Sequence, residues 1–78
     1  MNTPEERFDR YLMELRANPE SLRAADQCQD ALREMSRSPR YGLGEFQQQL
    51  EHRIRMLAAQ TGRSYESLIM DLHRPDIG

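Results

Sequence analysis

The sequence has no lysine, no valine, no tryptophan and a single cysteine, Cys28. One cysteine excludes a disulfide within the chain. β-Branched residues are limited to three Ile and two Thr, which argues against a β-sheet. No apolar run approaches the roughly 20 residues of a transmembrane helix. The acidic, polar N-terminus differs from a signal peptide, so we expect a cytoplasmic protein.

Large apolar residues are also scarce, since Leu, Ile and Phe make up 14 of the 78 residues. A chain of this length forms one domain with a small core, which we assign to residues 1–78. The net charge is only −2 and the apolar residues are regularly spaced, so a folded domain is favoured over disorder. Binding of a partner, or homo-oligomerisation, would add stability to such a domain.

The abundant residues, which are Ala, Leu, Met, Gln, Glu and Arg, lose little side-chain freedom in a helix. Apolar residues recur at helical spacing in four segments. The sequence therefore predicts an all-α domain of four helices, at about residues 4–17, 19–35, 45–60 and 65–73. The third helix is predicted to be the longest.

Local signals mark the predicted helix ends. Thr3 and Glu6 fit a capping box for the first helix. Asn18 and Pro19 are predicted to end that helix and to begin the second. Gly62 is predicted to stop the third helix in a left-handed conformation. Residues 36–44 are rich in Ser, Pro and Gly and are predicted to form a linker without a strand.

The apolar positions predict which face of each helix is buried. The first helix presents Phe8, Tyr11, Leu12 and Leu15. The second and third helices present Leu22, Ala25, Cys28, Leu32 and Met35, and Phe46, Leu50, Ile54, Leu57 and Ala58, respectively.

No group of residues indicates catalysis or a bound cofactor. The two histidines, His52 and His73, have too few companions for a metal site. Cys28 lies on an apolar helix face and is interpreted as a small buried side chain. The sequence contains no phosphate-binding loop and no local signature of a nucleophile with its base. We therefore expect a protein that is not an enzyme and that needs no cofactor.

The end of the third helix and the start of the fourth resemble DNA-binding motifs. Residues 57–64 are similar to the bihelical core of ribbon-helix-helix repressors, and Ala58, Gly62 and Leu68 have helix-turn-helix spacing. The linker offers no clear strand for a ribbon, however, and the fourth helix carries Glu66 and Asp71 but no Arg. Direct DNA binding is retained as an alternative.

A longer resemblance covers about residues 9–74. Residues 11–16 (Tyr-Leu-Met-Glu-Leu-Arg) resemble the opening helix of the Hha/YmoA family of nucleoid-associated expression modulators. Phe46, residues 51–54 (Glu-His-Arg-Ile) and Leu57 resemble that family's third helix. The family's cysteine after the first motif is absent here. The resemblance implies a protein that binds the dimerisation region of an H-NS-type silencer, with Glu51 meeting a basic residue of that partner.

These observations predict a small regulatory protein that acts by binding another protein, with transcription as the process. An acidic and apolar helical face would dock on a basic, helical partner. The predicted contact residues are Asp26, Asp30, Glu51 and Arg55, of which Glu51 and Arg55 are four apart and face each other. A second alternative is a phage or mobile-element protein that inhibits or adapts a host protein.

The charge distribution leads to a prediction about DNA. Residues 1–36 contain five Arg and eight acidic residues, and the predicted final helix is acidic, so both regions repel phosphate. We expect no measurable binding of the isolated protein to random-sequence duplex DNA at physiological salt, measured by fluorescence anisotropy. Nanomolar, sequence-specific binding with a steep salt dependence would contradict this expectation.

Overall fold

The computed structural model describes residues 3–73, and within this range the chain forms helices and no strand. The elements are α1 (Pro4–Ala17), α2 (Leu22–Arg37), a 3₁₀ helix (Pro39–Gly42), α3 (Gly44–Thr61) and α4 (Tyr65–Leu72). The predicted all-α class, the four helices and the long third helix are confirmed.

Helix α1 begins where its capping signal predicts. The Thr3 hydroxyl accepts a hydrogen bond from the backbone N–H of Glu6 at 3.2 Å, and Pro4 is the first helical residue. Phe8, Leu12 and Leu15 form its buried face. The first predicted helix and its apolar face are therefore confirmed, with Tyr11 partly buried beside them.

The predicted start of the second helix at residue 19 is wrong. The backbone N–H of Asn18 donates to the Glu14 carbonyl, so Asn18 closes α1, and its own carbonyl accepts from the N–H of Ser21 in the turn that follows. A short turn follows, and the hydroxyl of Ser21 caps α2 by accepting from the N–H of Ala24 at 3.2 Å. As a result Leu22, which was predicted to be buried, is 79% exposed.

Helices α1 and α2 pack as an antiparallel pair. Arg7, near the start of α1, contacts Asp30 and Glu34 in the second half of α2, at 3.5 and 2.6 Å. Where the two helices meet, α2 presents small side chains as well as large ones. Its buried residues are Ala24, Cys28, Ala31, Leu32 and Met35.

The predicted linker is shorter and more ordered than its composition suggests. Helix α2 continues to Arg37, and Pro39–Gly42 forms the 3₁₀ helix. Tyr41 in this helix is buried, with its ring edge against Phe46 at a centroid distance of 5.6 Å. The absence of a strand here was predicted correctly, whereas the burial of Tyr41 was not predicted.

Helices α3 and α4 meet through the turn that the sequence predicts. Gly62 adopts the left-handed conformation (φ 74°), and the Ser64 hydroxyl accepts from the N–H of Ser67 at 3.1 Å. The helices extend over Gly44–Thr61 and Tyr65–Leu72, within one residue of the predicted ends. Leu68 is the fully buried residue of α4.

Burial along α3 is uneven. Ile54, Leu57 and Ala58, in its second half, are buried as predicted. Phe46 and Leu50, in its first half, were predicted as core residues but are only partly buried. The first half of α3 therefore leaves apolar surface that the rest of the domain does not fully cover.

Two leucines of α2 provide a test of this fold. Leu32 is fully buried and Leu22 is 79% exposed. Leu32→Ala should lower the free energy of unfolding by about 2–5 kcal/mol because it leaves a cavity, whereas Leu22→Ala should change it by less than about 0.5 kcal/mol. Urea denaturation of both variants measures the difference, and equal losses would show that α2 is rotated from the orientation described.

Candidate protein-binding site

Glu51 and Arg55 form an ion pair on the surface of α3, as their spacing predicted. Nη2 of Arg55 donates to Oε1 of Glu51 at 2.9 Å, and the side chains are 44% and 62% exposed for Glu51 and Arg55. This hydrogen bond, together with the charge of Glu51, raises the pKa of the Arg55 guanidinium. Arg55 is therefore a permanent cation, held beside the carboxylate.

Arg55 also contacts the next helix. Its guanidinium carbon lies 4.7 Å from the centroid of the Tyr65 ring at the start of α4. A cation over an aromatic ring at this distance is attracted by the ring's electron-rich face. Arg55 thus connects Glu51 on α3 to Tyr65 on α4, and the pair stands where the two helices meet.

The two aspartates predicted as contact residues lie elsewhere. Asp30 faces α1, where it shares Arg7 with Glu34. Asp26 is exposed and borders a different depression of the surface, between α2 and the end of α3. The structure thus brings Glu51 and Arg55 together and does not bring Asp26 or Asp30 to them.

A groove between α3 and α4 lies next to the Glu51–Arg55 pair, with a volume of about 230 Å³. We call it the α3–α4 groove. Apolar side chains from three elements supply much of its lining, and Glu51 is one of its lining residues. Its lining residues are Ser36, Tyr41, Gln47, Leu50, Glu51, Ile54, Tyr65, Ile69, Leu72 and His73.

Tyr41 is the groove residue that the sequence did not reveal. Its side chain is 6% exposed, and its hydroxyl oxygen is buried without a hydrogen-bond partner in the described part of the chain. The sequence offered one sign of its burial, namely that it is an aromatic residue between Pro39 and Gly42. The prediction of a linker at residues 36–44 assigned no buried residue to this segment.

A second depression, the α2–α3 groove, is larger, with a volume of about 490 Å³. Its lining includes the exposed Leu22, Asp26 and Arg63. Arg63 is already engaged, because its guanidinium donates to the Ser67 hydroxyl and to the Asp71 carboxylate.

The residues considered for chemistry lie apart from each other. His52 and His73 are exposed on α3 and after α4. No group of three His, Cys, Asp or Glu that could hold a metal ion is found among residues 3–73. Cys28 is fully buried, as predicted, with its thiol 3.8 Å from the Phe8 carbonyl oxygen.

Comparison with known proteins gives no family assignment: no model of a protein family, no curated protein and no solved structure matches this chain. The resemblance to the Hha/YmoA family therefore stays a hypothesis that depends on the residues quoted for it. Across residues 3–73, none of the helices has the length and apolar character needed to cross a membrane.

The environment of Cys28 predicts a pH dependence of stability. Burial, reinforced by the charges of Asp9 and Glu14, raises the pKa of the thiol from 9.0 to about 11. The folded protein holds this proton more tightly than the unfolded chain. The thiol therefore contributes stability that is complete below about pH 9 and is lost as the pH rises toward 11.

We expect the stability difference between wild type and Cys28→Ala to shrink over this pH interval, by on the order of 2 kcal/mol. Chemical denaturation of both proteins at several pH values measures it, and the tyrosines, which are common to both, cancel in the difference. A difference that is independent of pH would show that the thiol is not desolvated.

Proposed function

We propose that this chain is a small regulatory protein, not an enzyme, which acts by binding a partner protein in the α3–α4 groove. The observation that carries the proposal is the groove itself. It places partly buried apolar side chains (Leu50, Tyr65, Ile69 and Leu72) beside an exposed ion pair. Protein interfaces commonly combine apolar anchors at the centre with charged groups at the edge.

Glu51, at the edge of the groove, offers a partly exposed carboxylate to a basic segment of the partner. Among the described residues that line the groove, Glu51 is the one with a formal charge at neutral pH when histidine is neutral. A partner's Arg or Lys would approach Glu51 from solvent and share it with Arg55. Such a contact would guide encounter and fix register, while the apolar side chains supply most of the affinity.

The resemblance of residues 51–54 to the third helix of the Hha/YmoA family supports the same residue as a contact. On that basis we propose a helical, basic partner and a role in the control of transcription. The turn between α3 and α4 gives less support to direct DNA binding. Arg63, in the turn before α4, is engaged by Asp71 on the acidic final helix.

Site-directed photocrosslinking tests the location of the binding surface. Gln47 is exposed and lines the groove, whereas His52 is exposed on the same helix and does not line it. Benzophenone-bearing residues at these two positions, introduced into the full chain in cells, should give different results. One specific protein should crosslink from position 47 and not from position 52. Crosslinking from position 52 alone would place the interface elsewhere.

The identified partner then allows a test of Glu51. Glu51→Ala should weaken binding by about 2–5 kcal/mol, the range for truncating one member of a desolvated charge pair. It should leave thermal stability nearly unchanged, since an exposed ion pair is worth about 0–1 kcal/mol. Isothermal titration calorimetry and thermal melting measure the two effects.

Glu20→Ala is the matched control, because Glu20 is an exposed acidic residue in the turn between α1 and α2, away from the α3–α4 groove. It has the same change of charge and should bind as wild type does. If Glu51→Ala and Glu20→Ala bind the partner equally well, Glu51 is not a contact residue.

A further inference from the structure

Helix α4 and the turn before it are tied together by contacts among their own residues. The Ser64 hydroxyl accepts from the N–H of Ser67, and the Arg63 guanidinium donates to the Ser67 hydroxyl and to the Asp71 carboxylate. The contacts of Arg63 therefore extend from the turn almost to the end of the helix. Because these contacts join residues 63–71 to one another, they favour the formation or loss of α4 as a whole.

The attachment of α4 to the core depends mainly on one side chain. Leu68 is 1% exposed, whereas Tyr65, Ile69 and Leu72 are only partly buried against the core. Helix α1, in contrast, buries three large apolar side chains. An element with few buried apolar contacts opens at a lower free energy than the whole domain, so α4 is the helix expected to open first.

Gly62 connects α4 to α3 and is suited to be a hinge. Its φ is 74°, and glycine passes between left-handed and right-handed backbone conformations without the steric cost of a Cβ atom. On the α3 side of this residue the chain is anchored, because the Thr61 hydroxyl donates to the carbonyl of the fully buried Leu57 at 2.8 Å. A change in the dihedral angles of Gly62 would therefore move α4 and leave α3 in place.

We infer that α4 is a hinged lid, which leaves the core as one unit by rotation about Gly62 while α1, α2 and α3 stay folded. An isolated helix of eight residues is not stable in water, so α4 melts once it is open. Opening uncovers Ile54, which is 2% exposed and lines the α3–α4 groove, and so enlarges the apolar face of α3. The inference concerns the free protein and does not depend on the proposed function.

Amide hydrogen exchange of the ¹⁵N-labelled full chain tests this lid. Exchange is followed by NMR for wild type at several urea concentrations below the unfolding transition. The amides from Leu68 to Leu72 should share one protection factor, roughly tenfold or more below that of the slowest amides of α1 and α2. Their exchange should also respond less to urea, because opening of α4 exposes less surface than global unfolding does.

A variant in α1 separates opening of the lid from global unfolding. Among residues 3–73, no Cα atom of α1 lies within 8 Å of a Cα atom of α4, so α1 keeps its contacts when the lid opens. Leu12→Ala should therefore speed exchange of the slowest amides of α1 and α2 roughly thirtyfold or more and leave exchange of α4 unchanged. Met13→Gly, at a position that is 70% exposed, repeats the test with a milder effect of roughly threefold, should Leu12→Ala fail to fold.

Three results would overturn the inference. If the α1 variants speed exchange of α4 and of the other helices by the same factor, α4 unfolds only with the whole domain. If protection falls steadily from Leu68 to Leu72, the helix frays from its end and does not open as a unit. If the amides of α4 show no protection, the lid is not held closed. The proposed function is judged separately, by the crosslinks from positions 47 and 52.

Discussion

The close packing of α1 against α2 is the contact on which the rest of the structure depends. Phe8, Leu12 and Leu15 of α1 share one buried core with Ala24, Cys28 and Ala31 of α2, and the Cys28 thiol lies 3.8 Å from the Phe8 carbonyl oxygen. A chain with so few large apolar residues gains much of its burial in this way, since close approach brings backbone atoms into contact as well. Leu32 and Met35 of α2 are buried in the same core as Ile54 and Leu57 of α3 and Leu68 of α4.

The α3–α4 groove follows from this arrangement. Helix α3 is 18 residues long, whereas α4 has eight, which is too short to be stable alone. Leu68 attaches α4 to the core, and Arg63 links the turn to Asp71 at its far end. An element of this length does not cover the first half of α3, so Leu50 stays partly exposed and a groove remains. The feature proposed for binding is thus a consequence of the limited core.

The sequence predicts the parts of this structure that depend on local interactions. The Thr3 and Ser64 caps, the left-handed Gly62 and the Glu51–Arg55 pair each involve residues a few positions apart, and all are present. The start of α2 was misplaced because Asn18-Pro19 and Ser21 are both good helix-start signals. In the structure Ser21 takes the role, with its hydroxyl accepting from the N–H of Ala24.

Contacts between residues of different helices could not be predicted from the sequence. The contact of Arg55 with Tyr65 and the burial of Tyr41 join residues from separate elements, and no spacing rule encodes them. The predicted binding face assumed that four charged residues share one surface, namely Asp26, Asp30, Glu51 and Arg55. In the structure Asp30 contacts Arg7 of α1, and Asp26 borders the α2–α3 groove.

The balance between stability and binding connects these observations. The folded state of a small domain is only marginally stable. An unsatisfied hydroxyl and an incompletely covered α3 therefore each cost this chain a substantial part of its free energy of unfolding. A partner that fills the groove would relieve the second of these costs by covering Leu50. Because such a partner binds the folded state alone, its binding free energy adds to the stability of the domain. The same residues would then determine how stable the free protein is and how strongly the proposed partner binds.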